Sequence, residues 1–204
     1  PRQDISSLAP FRNIRTFSPD KSYIMFVNID KLTAIRVQQE AVTVGRVEGF
    51  EEHRSQGIFT LREIKKGEVV LHGIPVRFNH SRTDYTIQVG EDKHAEVEDP
   101  ALHVNHSCNP STGLRDNEWG CYDFVALRNL PRGEHVTCDY DCCELDSIAV
   151  PNCRCKEPTC RKNILGFRER HQVVMALYPN DLIPNYLKEW YLATAAPKES
   201  QKVA

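Results

Sequence analysis

The stretch Cys153-Arg154-Cys155-Lys156-Glu157-Pro158-Thr159-Cys160 places three cysteines close together in a chain of 204 residues. Structural zinc sites hold the ion with four thiolate or imidazole ligands, so this cluster is one ligand short. Spacing alone does not rank the cysteines that could complete it, namely Cys108, Cys121, Cys142 and Cys143. A ligand from the middle of the chain would tie the C-terminal segment back to it. The sequence therefore predicts a structural Zn²⁺ site that joins segments far apart along the chain.

The composition indicates in which cellular compartment the protein acts and which partners are unsupported. All 8 cysteines lie in the second half of the chain, and residues 1–17 contain no apolar core of a secretory signal. Thiols and metal in a reducing compartment are therefore expected rather than disulfides, which predicts an intracellular protein, cytoplasmic or nuclear. The net charge of −2 gives no support for nucleic-acid binding, and no apolar stretch is long enough to cross a membrane. The oligomeric state is left open.

Short β-rich runs separated by turn residues dominate the chain up to residue 138, which predicts a mostly β fold of small curved sheets. Residues 1–20 read as an irregular arm, and residues 23–29 and 33–37 as a hairpin. The C-terminal part differs, because apolar residues recur at helical spacing over residues 168–178 and again over 181–195. Two C-terminal helices are expected there, followed by a polar tail.

Four motifs occur in order along the chain: residues 57–68, Asn105-His-Ser-Cys-Asn-Pro110, Gly133-Glu-His-Val-Thr-Cys-Asp-Tyr140, and the three-cysteine cluster with Arg161. Together they resemble SET-domain methyltransferases with a post-SET zinc segment. The resemblance covers about residues 46–168. It implies a SET fold with a pseudoknot, in which the segment bearing Tyr140 passes close to the Asn-His strand. The implied division is an N-terminal arm and β extension (1–45), a SET-like catalytic domain (46–145), a zinc segment (146–168) and a helical extension with its tail (169–204).

The resemblance also implies individual roles. Cys108 would be the fourth zinc ligand beside Cys153, Cys155 and Cys160, and Tyr140 would be the catalytic tyrosine. S-adenosylmethionine would be held by Asn105 and His106, by the backbone around Gln56, Gly57, Ile58 and Phe59, and by Leu165 against its adenine ring.

Methyl transfer to a lysine requires the neutral amine, aligned with the methyl group, and a tyrosine hydroxyl with carbonyl oxygens can provide that alignment. The substrate pocket departs from the family pattern. Cys138 stands where an aromatic residue is usual, and Leu71 and His72 stand where a channel tyrosine is often found. Ser55 also replaces the first glycine of the opening motif. Tyr85, Tyr122 or Trp119 are the aromatic residues that could substitute.

The leading hypothesis is a methyltransferase acting on a protein lysine. Because the pocket departs from the pattern, the alternative is a SET-fold enzyme that uses the same cofactor on a small-molecule metabolite. A non-catalytic, zinc-stabilised interaction domain is the third reading, and the joint presence of Tyr140, Asn105 and His106 argues against it.

Overall fold

The computed structural model describes residues 14–16, 25–27, 40–48, 56–83, 86–148 and 150–195. Strands β1 (Ile14–Thr16) and β2 (Met25–Val27) form an antiparallel pair. The prediction of an irregular arm is therefore wrong at Ile14–Thr16, where β-branched residues favour a strand. The predicted hairpin partner of the second strand, residues 33–37, lies outside the described residues.

The remaining described strands are short. In chain order they are β3 (Val42–Arg46), β4 (Gln56–Thr60), β5 (Val69–His72), β6 (Pro75–Asn79), β7 (Thr86–Gly90), β8 (Lys93–Val97), β9 (Asn105–His106), β10 (Thr112–Asp116), β11 (Tyr122–Ala126) and β12 (His135–Cys138). They form three small sheets with the orders β3-β4-β12-β9, β10-β11-β5 and β6-β8-β7. The predicted mostly β fold of small sheets is confirmed.

The sheet β3-β4-β12-β9 positions the candidate site. The pairs β3–β4 and β4–β12 are antiparallel, whereas β12 and β9 are parallel. In that parallel pair Thr137 lies opposite Asn105 and Cys138 lies opposite His106. Two strands 30 residues apart along the chain are thereby fixed side by side, and the segment that follows β12 begins next to His106.

The core lies between the sheets. Ile58 of β4 and Val136 of β12 are fully buried, as are Leu114 of β10 and Tyr122 of β11. Each large apolar side chain removed from water stabilises the fold by about 1.5–3 kcal/mol. The Tyr122 hydroxyl, the polar atom of that residue, donates to the Gln88 carbonyl oxygen at 2.6 Å. The core is thus close-packed and its buried hydroxyl is paired.

Two α-helices complete the described part of the chain: α1 (Phe167–Leu177) and α2 (Asn185–Thr194). The predicted second helix began at residue 181, but residues Asn180–Leu182 form a 3₁₀ turn and α2 starts after Pro184. Proline is favoured at a helix start and cannot continue a helix through its interior, which explains the later start. Phe167, Val174, Ile183 and Leu187 pack in a second apolar cluster. Neither α1 nor α2 is long and apolar enough to cross a membrane.

Candidate active site and cysteine cluster

Tyr140 is held at both ends by the segment around β9. Its backbone N–H donates to His106 Nδ1 at 3.1 Å, and its hydroxyl donates to the Val104 carbonyl oxygen at 2.9 Å. Burial raises the pKa of Tyr140 well above its usual range, so the hydroxyl stays protonated. The residue is therefore a fixed hydrogen-bonding group and is unsuited to act as a base.

Tyr140 and Cys138 line a cavity of about 90 Å³. Further lining comes from β7, the end of β8, the turn before β9, β11 with the residue before it, and the segment after Tyr140. It includes Ile87, Val97, Ala101, Leu102, Cys121, Phe124 and Cys143. Most of these side chains are aliphatic or carry a thiol. The chemistry of the cavity is thus apolar apart from a few polar groups.

Leu71 and His72 were expected in this pocket, and the structure does not bring them there. Leu71 is 1% exposed and belongs to the core, while His72 Nδ1 lies 2.6 Å from Asp123 Oδ1. Leu71 pairs with Phe124 across β5 and β11, so both side chains lie on one face of the sheet, and Phe124 rather than Leu71 lines the cavity. His72 pairs with Asp123 on the opposite face.

The aromatic residues proposed as substitutes also lie elsewhere. Tyr122 is buried in the core and Trp119 packs edge-on against His72, with ring centroids 5.2 Å apart. Tyr85 lies outside the described residues. Of the described aromatic residues, Phe124 and Tyr140 line the cavity.

The expected cofactor residues of β4 and β9 lie next to each other. A Cβ atom added at Gly57 would lie 2.8 Å from Asn105 Oδ1 and 2.7 Å from His135 Nε2, so only glycine allows this approach. His135 Nε2 lies 3.1 Å from Asn105 Oδ1, and the His135 ring stacks on Phe59. Burial lowers the pKa of His135, which favours a neutral ring with its N–H directed at the amide oxygen.

The other two residues expected on β4 differ in exposure. Gln56 is exposed at the start of the strand, whereas the Ile58 side chain is fully buried in the core. Ile58 can therefore offer a ligand only its backbone, as expected for that stretch.

The four cysteines Cys108, Cys153, Cys155 and Cys160 come together, with all sulfur atoms within 4.8 Å of one another. Four sulfurs at zinc bonding distance occupy a tetrahedron whose edges are about 3.8 Å. The Cys108 and Cys153 sulfurs are 3.8 Å apart. The donor set and its spacing thus fit a tetrahedral metal ion. The other candidates considered for the fourth position, Cys121, Cys142 and Cys143, are buried elsewhere.

His106 connects the cysteine cluster to Tyr140. Its Nδ1 accepts from the Tyr140 N–H, so the proton of the neutral ring lies on Nε2, which is 3.3 Å from the Cys108 sulfur. Burial lowers the pKa of His106 to about 4, which keeps the ring neutral. Two hydrogen bonds through the His106 ring thereby connect the cysteine cluster to Tyr140.

Sequence reasoning missed the acidic residues that flank Tyr140. Asp139 and Asp141 are both buried, and Arg161 from the cysteine segment pairs with each of them, with Arg161 Nε 3.4 Å from Asp141 Oδ2. Asp139 Oδ2 also accepts from the Tyr178 hydroxyl at 2.8 Å. Arg161 was visible beside Cys160, but its partners depend on tertiary contacts.

Leu165 lies on the loop that Asp141 holds. Asp141 Oδ1 accepts the backbone N–H of Leu165 at 2.9 Å and that of Gly166 at 2.7 Å. The Leu165 side chain is 41% exposed, although the loop itself is fixed beside the tyrosine segment. The Leu165 side chain is therefore accessible from solvent on a fixed loop.

A second pair missed from the sequence, Glu144 and Arg82, lines the cavity. Arg82 NH2 lies 3.0 Å from Glu144 Oε2, and the two side chains are 21% and 11% exposed. Burial raises the pKa of Glu144 to about 7, and the nearby guanidinium offsets this only in part. These residues are 62 positions apart and neither lies in one of the four motifs, so the sequence offered no indication that they form a pair.

Comparison with known proteins identifies the central part of the chain. The family model of the SET domain matches residues 55–141, so the chain carries a SET domain. A search of the curated proteins found no significant match. Similar solved structures include the methyltransferase domain of human histone-lysine N-methyltransferase SETMAR, at 16% identity and a TM-score of 0.46 over 61% of this chain and 58% of that one.

A second similar structure is KRYPTONITE in complex with mCHG DNA and SAH, at 19% identity and a TM-score of 0.49 over 60% of this chain and 28% of that one. The chain thus matches only 58% and 28% of the lengths of these two structures.

Proposed function

We propose that this chain, which carries a SET domain over residues 55–141, is an S-adenosylmethionine-dependent methyltransferase acting on a lysine amine of a protein. The observation that carries the proposal is the position of Tyr140. Its hydroxyl is fixed by the Val104 carbonyl oxygen at the wall of a small cavity, directly beside β9.

The residues of this chain that would hold the cofactor are Gln56, Gly57, Ile58, Phe59, Asn105, His106 and Leu165. When bound, S-adenosylmethionine supplies an activated methyl group on a sulfonium. The close approach of Gly57 to Asn105 supports this assignment, as does the exposed Leu165 side chain on its anchored loop.

Tyr140 would orient the amine in the cavity. A hydrogen bond at its oxygen directs the nitrogen lone pair along the line of displacement, and such alignment is the main demand of the reaction. The apolar walls, with Cys138 and Val104 near the tyrosine, disfavour a charged ammonium and thus favour the neutral amine that reacts.

Zn²⁺ would be held by Cys108, Cys153, Cys155 and Cys160 as a structural ion. Its role is to hold the cysteine segment, and with it Leu165, against the domain. The hydrogen bonds from His106 to Cys108 and from Tyr140 to His106 support a direct link between the ion site and the tyrosine.

Tyr140→Phe tests the proposal. We expect wild-type protein to transfer label from S-adenosylmethionine to proteins of a cell lysate, and the variant to lose about 100-fold or more in rate because the orienting hydroxyl is gone. Tyr191→Phe, on α2 and outside the cavity lining, is the matched control and should retain the rate. Absence of transfer to any protein despite cofactor binding would refute a protein substrate.

One observation favours a small-molecule substrate instead. The described cavity residues contribute Phe124 and Tyr140 as aromatic side chains, and apart from Arg82, Glu144 and two threonines the other lining side chains are aliphatic or thiol-bearing. If the lysate experiment places the label in the small-molecule fraction and not in protein, this second candidate replaces the first.

A further inference from the structure

Glu144 is a buried carboxylate in the wall of the candidate site. It lines the same cavity as Tyr140 and Cys138, its residue is 8% exposed, and its Oε2 atom is buried without a geometrically formed hydrogen bond. Of the described cavity residues, Glu144 contributes the one carboxylate. A buried carboxylate in an apolar cavity costs free energy unless it is paired with a cation.

The groups facing Glu144 leave it as the anionic centre of the cavity. Arg82 is its cationic neighbour, while Tyr140, Cys143 and Tyr186 are the other titratable groups that interact with it. Burial raises the pKa values of Tyr140 and Tyr186. The pKa of Cys143 is raised by its hydrogen bond to Cys138 and by burial. All three groups are therefore neutral near pH 7.

We propose that Glu144 binds the substrate as a cationic amine in this cavity and accepts the proton that the amine must lose before it is methylated. This inference rests on the proposed function, because it names the group that selects and prepares the substrate of that reaction. It specifies a primary or secondary amine, protonated in water, as the substrate class.

Arg82 can remain in place when the amine binds. Its guanidinium also contacts the backbone oxygen of Asp146, so it does not depend on Glu144 alone. A carboxylate has two oxygens and can accept from two cations at once. Arg82 therefore holds the carboxylate at the cavity wall and leaves acceptor capacity for the amine.

The proton balance closes without a further reactant. The ammonium gives one proton to the Glu144 carboxylate, and the nitrogen lone pair then forms the N–C bond as the S–C bond of the sulfonium breaks, with its electron pair going to sulfur. The products are the methylated ammonium and a neutral thioether. Glu144 releases its proton to solvent, so one proton leaves for each methyl transferred.

Binding of n-butylammonium, measured by NMR titration without cofactor, tests the proposal independently of catalysis. At pH 8.5 we expect Glu144→Gln to weaken binding about tenfold, because a charge-assisted contact is lost. Wild-type binding should fall by a similar factor between pH 8.5 and 5.5, since Glu144 becomes neutral below about 7 while the amine stays protonated. The variant should show no such pH dependence.

The controls separate charge recognition from general damage. Glu189→Gln, an exposed residue on α2, should bind n-butylammonium as wild type does. Neutral n-butanol should bind wild type and Glu144→Gln equally, which also verifies that the variant cavity is intact. Equal binding of n-butylammonium to wild type and Glu144→Gln at pH 8.5 would overturn the proposal.

Activity measurements distinguish the two proposals. If wild type transfers methyl groups and Glu144→Gln keeps the same rate and pH profile, the role of Glu144 is refuted and the proposed function stands. If Glu144 governs amine binding but no methyl transfer occurs with any substrate, the amine site stands and the proposed function fails.

Discussion

At the scale of single residues, Glu144 carries the clearest consequence for stability. Its ordinary pKa is 4.5, and burial raises it to about 7 in the folded protein. The folded state therefore holds this proton more tightly than the unfolded state does. The stabilisation is complete below pH 4.5 and is lost as pH rises to about 7.

Glu144→Gln should remove this pH dependence. Between pH 4.5 and 7 the wild-type free energy of unfolding should lose up to about 3 kcal/mol through this residue, whereas glutamine has no proton to exchange. Urea unfolding of both proteins at several pH values measures the difference between their curves. Glu189→Gln should follow wild type, and parallel curves for wild type and Glu144→Gln would contradict the expectation.

At this scale the sequence predicted which residue types take part in the site better than it predicted which side chains contact each other. Tyr140 and Cys138 line the cavity, and Gly57 lies against Asn105. Leu71 and His72 do not reach the cavity, because Leu71 is covered in the core beside Phe124 and His72 faces the other side of β5, where it pairs with Asp123.

At the scale of elements, the cysteine segment is held to the tyrosine segment by buried charges as well as by its sulfurs. Asp141 accepts two backbone N–H groups from the loop before α1 and pairs with Arg161. Gly166 completes this connection: its φ of +96° favours glycine, and an added Cβ would lie 2.5 Å from the Leu145 carbonyl oxygen. The loop and α1 therefore have one permitted position.

Asp141→Ala should loosen that loop. It leaves two amides and part of a guanidinium without their acceptor in a buried setting, and we expect a loss of about 3 kcal/mol in the free energy of unfolding. Hydrogen exchange at Leu165 and Gly166 should accelerate. The control variant Asp146→Ala breaks an exposed ion pair with Arg168 and should cost less than about 1 kcal/mol in the free energy of unfolding. Equal losses in the two variants would contradict the role of Asp141 in holding the loop.

At the scale of the whole molecule, the cysteine cluster joins β9 to a segment 45 residues further along. A metal ion bound there would be part of the folding free energy, because the unfolded chain does not preform the site. The ion would then strengthen the connection that buried ion pairs and apolar contacts already make between the SET domain and the segment leading to the C-terminal helices.

Cys155→Ser tests this dependence. Wild type should contain one zinc ion per chain by elemental analysis, and the variant should lose it and unfold about 10 °C lower. Cys142→Ala, whose thiol lies outside the cluster, should retain the metal. A chelator should lower the thermal unfolding midpoint of wild type and leave that of Cys155→Ser unchanged. An unaltered zinc content in Cys155→Ser would refute the metal site.

The sequence by itself determined the class of fold and the parts of the site that lie within one segment. The mostly β fold and the C-terminal helices followed from local periodicity, and the SET-domain resemblance from four motifs in order along the chain; each is confirmed. Local patterns suffice for these predictions because the side-chain periodicity of a helix or strand and the spacing of clustered metal ligands both extend over only a few residues.

Only the tertiary structure decided which distant groups meet. It brought Cys108, rather than Cys121, Cys142 or Cys143, to the cysteine cluster, and it placed Glu144 against Arg82 inside the cavity. Strand register and core packing fix such pairs, and neither is written in the spacing of any one segment.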